Sequence, residues 1–173
     1  MKADELLKQY TAGLRDFTGV KLSEVDLRGA DLSGAILDRA ILDGAKLNHA
    51  NLAQTSFVDA DLNGADLSDA NLSDSNLTGA ILDAAILDGA ILDGADLSQA
   101  DLTIAKLIEA NLSEAELQEA NLQAANLDKA DLSGADLSVA DLTQANLSEA
   151  DLNEANLHGA NLEGADVGGT ILD

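Results

Sequence analysis

One feature constrains this chain more than any other: a leucine that returns every fifth residue. In GAILDAAILDGAILDGADL, residues 79–97, leucine stands at Leu82, Leu87, Leu92 and Leu97, and alanine at Ala80, Ala85, Ala90 and Ala95. The pattern runs from Phe17 to Leu172 as 32 consecutive units without insertion or deletion, and only Phe17, Phe57 and Val167 replace leucine. Two residues earlier sits a small residue, nearly always alanine; Arg15, Val20, Val25, Thr55, Ser75 and Thr170 are the exceptions.

No regular element keeps such leucines together. An α-helix turns about 100° per residue, so residues five apart drift by about 140° and spread over every face. A continuous strand alternates its side chains, so residues five apart point to opposite sides. A hybrid unit succeeds. If alanine, the next residue and leucine are extended, alanine and leucine share one face and the residue between them points away. The last two residues then turn the chain. The slot before leucine is mostly Asp or Asn. The slot after it is mostly Ser, Thr, Asn or Asp, as in Ser33, Thr103 and Asn153, and the next is often glycine, as in Gly34, Gly64 and Gly134. These residues bond local backbone or adopt positive φ. The expected fold is all-β: a quasi-one-dimensional parallel solenoid with an alanine and leucine interior.

Composition agrees. Apolar residues make up 46% of the chain while aromatic residues make up 2%, so small aliphatic side chains must build the core. There is no cysteine, which removes disulfides and thiolate metal sites. The opening MKADELLKQY is polar, unlike a secretory signal, and no apolar run reaches the roughly 18 residues of a membrane span. A soluble cytoplasmic protein is expected; a lumenal or periplasmic mature form fits the same residues.

The net charge is −23 and is unevenly placed along the chain. Residues 1–46 carry eight acids and seven bases; residues 47–173 carry 24 acids and only Lys106 and Lys129 as bases. Phosphate backbones and anionic membranes therefore have little to bind, so neither nucleic acid nor a membrane is an expected partner.

The repeat ADLSGADLSVADLTQANLSEADLNEANL at 130–157 resembles the pentapeptide-repeat family. The resemblance covers about nine tenths of the chain. It implies a right-handed, four-sided β-helix with four units per coil, hence about eight coils and a rod about 38 Å long at roughly 4.8 Å between strands. On that reading Phe17 and Phe57 fall on one side, two coils apart. Residues 1–14 lie outside the repeat and read as a short helical cap. Asp4 is the expected N-cap, Leu6, Tyr10 and Leu14 recur four apart, and Gly13 marks the stop. Leu6, Leu7 and Tyr10 are expected to cover the first coil. Residues 15–173 form the solenoid.

No catalytic constellation, cofactor motif or metal site emerges. His49 and His158 occupy outward turn slots about five coils apart. The serines lack a neighbouring base, and the carboxylates lie on a convex, wet surface where no pKa is raised. The acidic slots match neither the glycine-rich calcium repeat nor an EF-hand loop. Threonine rows suited to ice binding are missing.

Two interfaces are candidates. At the C-terminus, Leu162, Val167 and Leu172 line an uncapped end whose backbone invites pairing, which suggests an end-to-end homodimer through the final coil; Asp166 and Asp173 blunting the end is the alternative. At mid-rod, Ile81, Ile86 and Ile91 take outward slots on three consecutive sides, either because β-branched residues suit extended backbone or as a contact surface for a protein partner not named by the sequence. Ile36, Ile41 and Ile171 stand in equivalent slots.

The favoured function is a non-catalytic structural or interaction scaffold. The alternative is DNA mimicry toward a type II topoisomerase such as gyrase, an activity the family resemblance implies for some members. B-DNA carries one charge per roughly 1.7 Å, or about 22 over about 38 Å. Against it, the acids from Asp16 onward divide almost evenly among the four sides, as seven, eight, eight and seven. That is the pattern of a coat selected for solubility.

Overall fold

A computed structural model describes residues 1–172. From Asp16 to Asp166, the residue before each leucine-slot residue forms an isolated parallel bridge with the residue twenty positions away, beginning Asp16↔Ile36, Lys21↔Ile41, Asp26↔Lys46 and Asp31↔Asn51. Four five-residue units therefore complete one circuit, and each side of the coil contributes one bridging residue.

The leucine ladder is the core. From Leu22 to Leu152 every leucine-slot side chain is 2% exposed or less, and the alanines from Ala35 to Ala145 are 1% exposed or less. Phe17 and Phe57 stack on one side two coils apart, and both are buried. Alanine is demanded opposite leucine because four inward leucines already crowd each layer; a larger side chain would overpack it.

Three backbone bonds per side join successive coils. The leucine amide donates up to the middle-slot carbonyl of the next coil, as in Leu32 N–H to Asn51 O at 2.9 Å. The tip amide donates to the next coil's first turn residue, as in Gly34 N–H to Ala53 O at 2.9 Å. The middle-slot amide donates down to the alanine carbonyl below, as in Asn51 N–H to Ala30 O at 2.8 Å.

Each corner is a four-residue turn closed by the alanine amide on the leucine carbonyl, as in Ala35 N–H to Leu32 O at 3.0 Å. The tip residue has positive φ at all 31 corners from Gly19 to Gly169, and only twelve of these are glycine. A positive φ at the third residue alone is the type II pattern. The other nineteen include Ile104 and Val139, at φ 50° and 61°. β-Branched residues are rarely found there; the coil-to-coil bond of the tip amide holds them in place.

The N-terminal helix α1 spans Ala3–Thr11. It lays Leu6, fully buried, on the open end of the leucine interior, with Leu7 and Tyr10 half-buried beside it. Its N-cap is Lys2 rather than Asp4, which falls in the first turn, where a carboxylate suits the positive end of the helix. Leu14 lies beyond the helix and is 44% exposed, because the chain has already turned through Gly13 at φ 98°. The Tyr10 hydroxyl donates to Ser33 O at 2.7 Å, the Met1 amine donates to Lys21 O at 2.8 Å, and the Arg15 guanidinium lies 3.9 Å from the centre of the Tyr10 ring.

Candidate interaction surfaces

The outer wall is built from the middle slot. Every aspartate or asparagine there accepts the amide of the residue two positions on through Oδ1, for example Ser33 N–H to Asp31 at 3.1 Å, Ser73 N–H to Asn71 at 3.1 Å and Ser133 N–H to Asp131 at 2.9 Å. Asp and Asn alternate in this slot because both present the same oxygen to the turn. The following hydroxyl often joins it. Ser133 Oγ donates to Asp131 Oδ1 and Ser113 Oγ to Asn111 Oδ1, each at 2.6 Å. Those hydroxyls thus serve the turn. Asparagine has a second use: Asn51 donates through Nδ2 to Asp31 Oδ1 below at 3.0 Å, and Asn156 to Asp136 Oδ1 at 3.0 Å. These bonds interleave neutral groups into the carboxylate columns.

The hydrogen bonds hold several carboxyls in their charged form. Asp16 and Asp141 are lowered chiefly by the Thr18 and Thr143 hydroxyls, and Asp136 by Ser138. Asp31 is lowered chiefly by the Ser33 amide. Asp26 is lowered to about 2 by the Arg28 guanidinium, whose Nη2 sits 2.6 Å from its Oδ2. At Asp96 burial opposes ionisation most, yet the Ser98 and Thr78 bonds together outweigh it and the pKa falls.

Where isoleucine takes the middle slot, this oxygen is lost, and aspartate always follows the leucine: Ile36 with Asp38, Ile41 with Asp43, and Ile81, Ile86 and Ile91 with Asp83, Asp88 and Asp93. Three of these carboxylates reach up one coil, Asp93 to the Ser113 hydroxyl at 2.9 Å and two others to backbone amides. Asp38 Oδ1 accepts the Val58 amide at 3.2 Å, and Asp88 Oδ1 the Ile108 amide at 3.0 Å. The middle slots of those upper units hold Ser56 and Lys106, which offer no such acceptor. Ile81 and Ile91 are each 42% exposed and Ile86 is half-buried. On their own sides they are bracketed by polar residues: Asp61 and Asp101, Asn71 and Asn111, Asp66 and Lys106. The structure places the three around one coil, separated by corners.

At the C-terminal end Leu157, Leu162 and Val167 are half-buried and Leu172 is 42% exposed. The amides of Leu157, Leu162 and Val167 and the carbonyls of Ala155, Ala160 and Ala165 have no coil above them among the described residues. Asp173, the other residue expected to blunt this end, lies outside the described residues. His49 and His158 both face outward; His49 Nδ1 stands 3.6 Å from Asp69 Oδ2.

One feature was not anticipated. Ser113, Glu114, Ser133, Gly134, Asn153 and Glu154 line an open corner groove of about 250 Å³. The sequence signal is a glycine at one tip with glutamate tips twenty residues to either side. Among the described residues no group of three or more histidine, aspartate or glutamate side chains is placed to hold a metal ion, and no helix is long and apolar enough to cross a membrane.

The comparisons address kinship. The pattern described as Pentapeptide repeats matches in eight copies, over residues 16–54, 40–79, 65–103, 105–138 and 135–173. A search of curated proteins finds no match. Among solved structures the chain is similar to HetL, a pentapeptide repeat protein involved in heterocyst differentiation regulation in the cyanobacterium Nostoc sp. strain PCC 7120, with 34% identity over 98% of this chain and 94% of that one and a TM-score of 0.36. It is similar to alr5209 from the same cyanobacterium, at 36% identity over 66% of this chain and 80% of that one, TM-score 0.42. It is also similar to QnrB1, a plasmid-mediated fluoroquinolone resistance protein, at 21% identity over 91% and 90% of the two chains, TM-score 0.49. Unbroken five-residue periodicity, bridges at a spacing of twenty and the matched repeats together make this chain a member of the pentapeptide-repeat family.

Proposed function

We propose that this protein is a non-catalytic interaction scaffold, a right-handed rod of about eight coils that offers its C-terminal coil as a docking surface, first of all to a second copy of itself. The observation that carries this reading is the use made of the acidic wall. All twelve middle-slot aspartates accept an amide of their own turn through one oxygen, as the neutral asparagines of that slot also do, so turn chemistry accounts for where these carboxylates stand. A surface selected to imitate a phosphate backbone needs carboxylates free to meet a partner's cations. Here the largest exposed apolar group at a rod end is the set Leu162, Val167, Ile171 and Leu172, which fits protein docking better than electrostatic mimicry.

Two measurements test it. In a supercoiling assay with purified gyrase, micromolar protein is expected to leave the reaction unchanged; inhibition below 1 μM would replace the scaffold reading with mimicry. Sedimentation equilibrium is expected to show a dimer that Val167→Lys abolishes. A strict monomer at micromolar concentration would remove the end-to-end pairing.

A further inference from the structure

One corner of the rod is unlike the other three. From Gly44 to Gly164 its tips, taken every twenty residues, carry no charge, while each of the other corners carries at least two acidic tips over the same stretch. Ile104 stands at the middle of this corner, 52% exposed and held at φ 50°. The tips one coil below and one coil above it are Ala84 and Ala124, too short to cover it. A β-branched residue in the left-handed region costs stability. Packing within the rod offsets little of that cost, because half of the residue stays in water.

The walls on either side of this corner continue the apolar surface. One coil below Ile104, Ile81 lies on the wall before the corner, 42% exposed, and Ile86 on the wall after it, half-buried. Lys106 bridges directly above Ile86, and half-buried Ile108 follows it on the same wall. Ile91, the third isoleucine of the lower coil, lies beyond the next corner, whose tip is Gly89. The residues after 46 hold only two bases. Lys129 stands 3.8 Å from Asp128, whereas Lys106 is exposed and makes no ion pair among the described residues. Asp83, beside Ala84, and Asp101, above Ile81, form the rim of the patch.

We propose that this corner binds an amphipathic helix of a partner protein, whose apolar stripe covers Ile81, Ile86, Ile104 and Ile108 and whose carboxylate meets Lys106. The backbone decides the form. Amides and carbonyls of these walls are already used between coils, as in Leu87 N–H to Lys106 O at 2.7 Å and Lys106 N–H to Ala85 O at 2.9 Å. No strand can be added there, so the partner must satisfy its own backbone, as a helix does. Charge decides the pattern. An acid opposite Lys106 with bases opposite Asp83 and Asp101 complements the patch, and the reverse arrangement repels. A second copy of this chain does not supply that helix, since α1 buries Leu6 against its own first coil. The site extends the scaffold reading to a second surface and uses no residue of the C-terminal coil.

The probe is a fluorescein-labelled synthetic helix of about 18 residues, long enough to fold alone. It carries leucine at its fifth, ninth and twelfth positions, glutamate at its eighth, and lysines flanking that face. Fluorescence anisotropy with the full chain is expected to show saturable binding in the micromolar range. Lys106→Glu is expected to weaken binding by about tenfold. Exchanging the probe's glutamate for lysine is expected to weaken binding to the parent and to restore it to Lys106→Glu, the signature of a direct pair. Ile104→Asn is expected to keep the β-solenoid signal in circular dichroism and to weaken binding by about tenfold, while Ile91→Asn leaves it unchanged. Val167→Lys is also expected to leave it unchanged, so failure of this site and failure of the end-coil dimer are read separately. A probe that does not bind, that is indifferent to Lys106→Glu, or that loses as much to Ile91→Asn as to Ile104→Asn overturns the proposal. So does sedimentation in which Ile104→Asn changes the oligomeric state, which would make the patch a contact between copies.

Discussion

Thr55 and Ser75 occupy the same inner slot in consecutive coils, yet only one of the two hydroxyls finds a partner. Thr55 Oγ1 donates to Leu32 O at 3.0 Å, while Ser75 Oγ is buried with no hydrogen-bond partner. Both replace the alanine found at Ala35 and Ala95 on the same side. An unsatisfied buried hydroxyl costs about 1–3 kcal/mol. Ser75→Ala is therefore expected to stabilise the rod by about 1 kcal/mol, and Thr55→Ala to destabilise it by a similar amount. Urea unfolding of the two variants beside the parent checks the opposite signs.

The wall predicts a contrast between two substitutions at one position. Asp131 accepts both the amide and the hydroxyl of Ser133 and stacks beside Asp151 one coil above. Asp131→Asn keeps the accepting oxygen and removes a like-charge neighbour, so stability should stay within about 0.5 kcal/mol of the parent or rise. Asp131→Ala orphans the turn amide and should cost about 1 kcal/mol. Thermal melts resolve the pair, and equal losses in both would sink the capping account.

Asp26 should titrate well below the ordinary carboxylate range. Its carboxyl is lowered to about 2, first by the Arg28 side chain and then by the Arg28 amide. A folded pKa below the unfolded one stabilises the native state above the unfolded value, near 4, and that contribution is lost as pH falls from about 4 through about 2. NMR titration of the Asp26 carboxyl is expected to show the low value, and Arg28→Ala to return it toward the ordinary range. A value unmoved by Arg28→Ala would contradict the assigned cause.

Ile104 and Val139 sit at turn tips in left-handed conformation and are 52% and 60% exposed. They pay conformational strain without burying much surface. Asparagine tolerates this region far better. Ile104→Asn and Val139→Asn are each expected to stabilise by about 0.5–1 kcal/mol, additively, since the sites are well separated. A drop in melting temperature would mean that these side chains make contacts worth more than the strain.

Much of this was legible in the chain. The period of five placed Leu22 through Leu152 inside, and the residues before the repeat signalled the short helix at Ala3–Thr11 with Leu6 buried. The preference for Asp or Asn before leucine announced turn chemistry. Asp4 misled as an N-cap because capping depends on the φ of one residue, and Lys2 adopts the extended value instead. The pairing of Ile36 with Asp38, or Ile86 with Asp88, is visible as a repeated ILD, but its purpose is not: the carboxylate serves an amide twenty residues away.

The sequence by itself determined which face of every unit is buried, because inside and outside alternate over three extended residues and that alternation is local. Only the tertiary structure decided that four units close a circuit and put residue i on i+20. Closure depends on how much each corner bends the chain, which the stacked coils fix together through backbone bonds that carry no side-chain signature. From that register follow the partner of Thr55 and the isolation of Ser75.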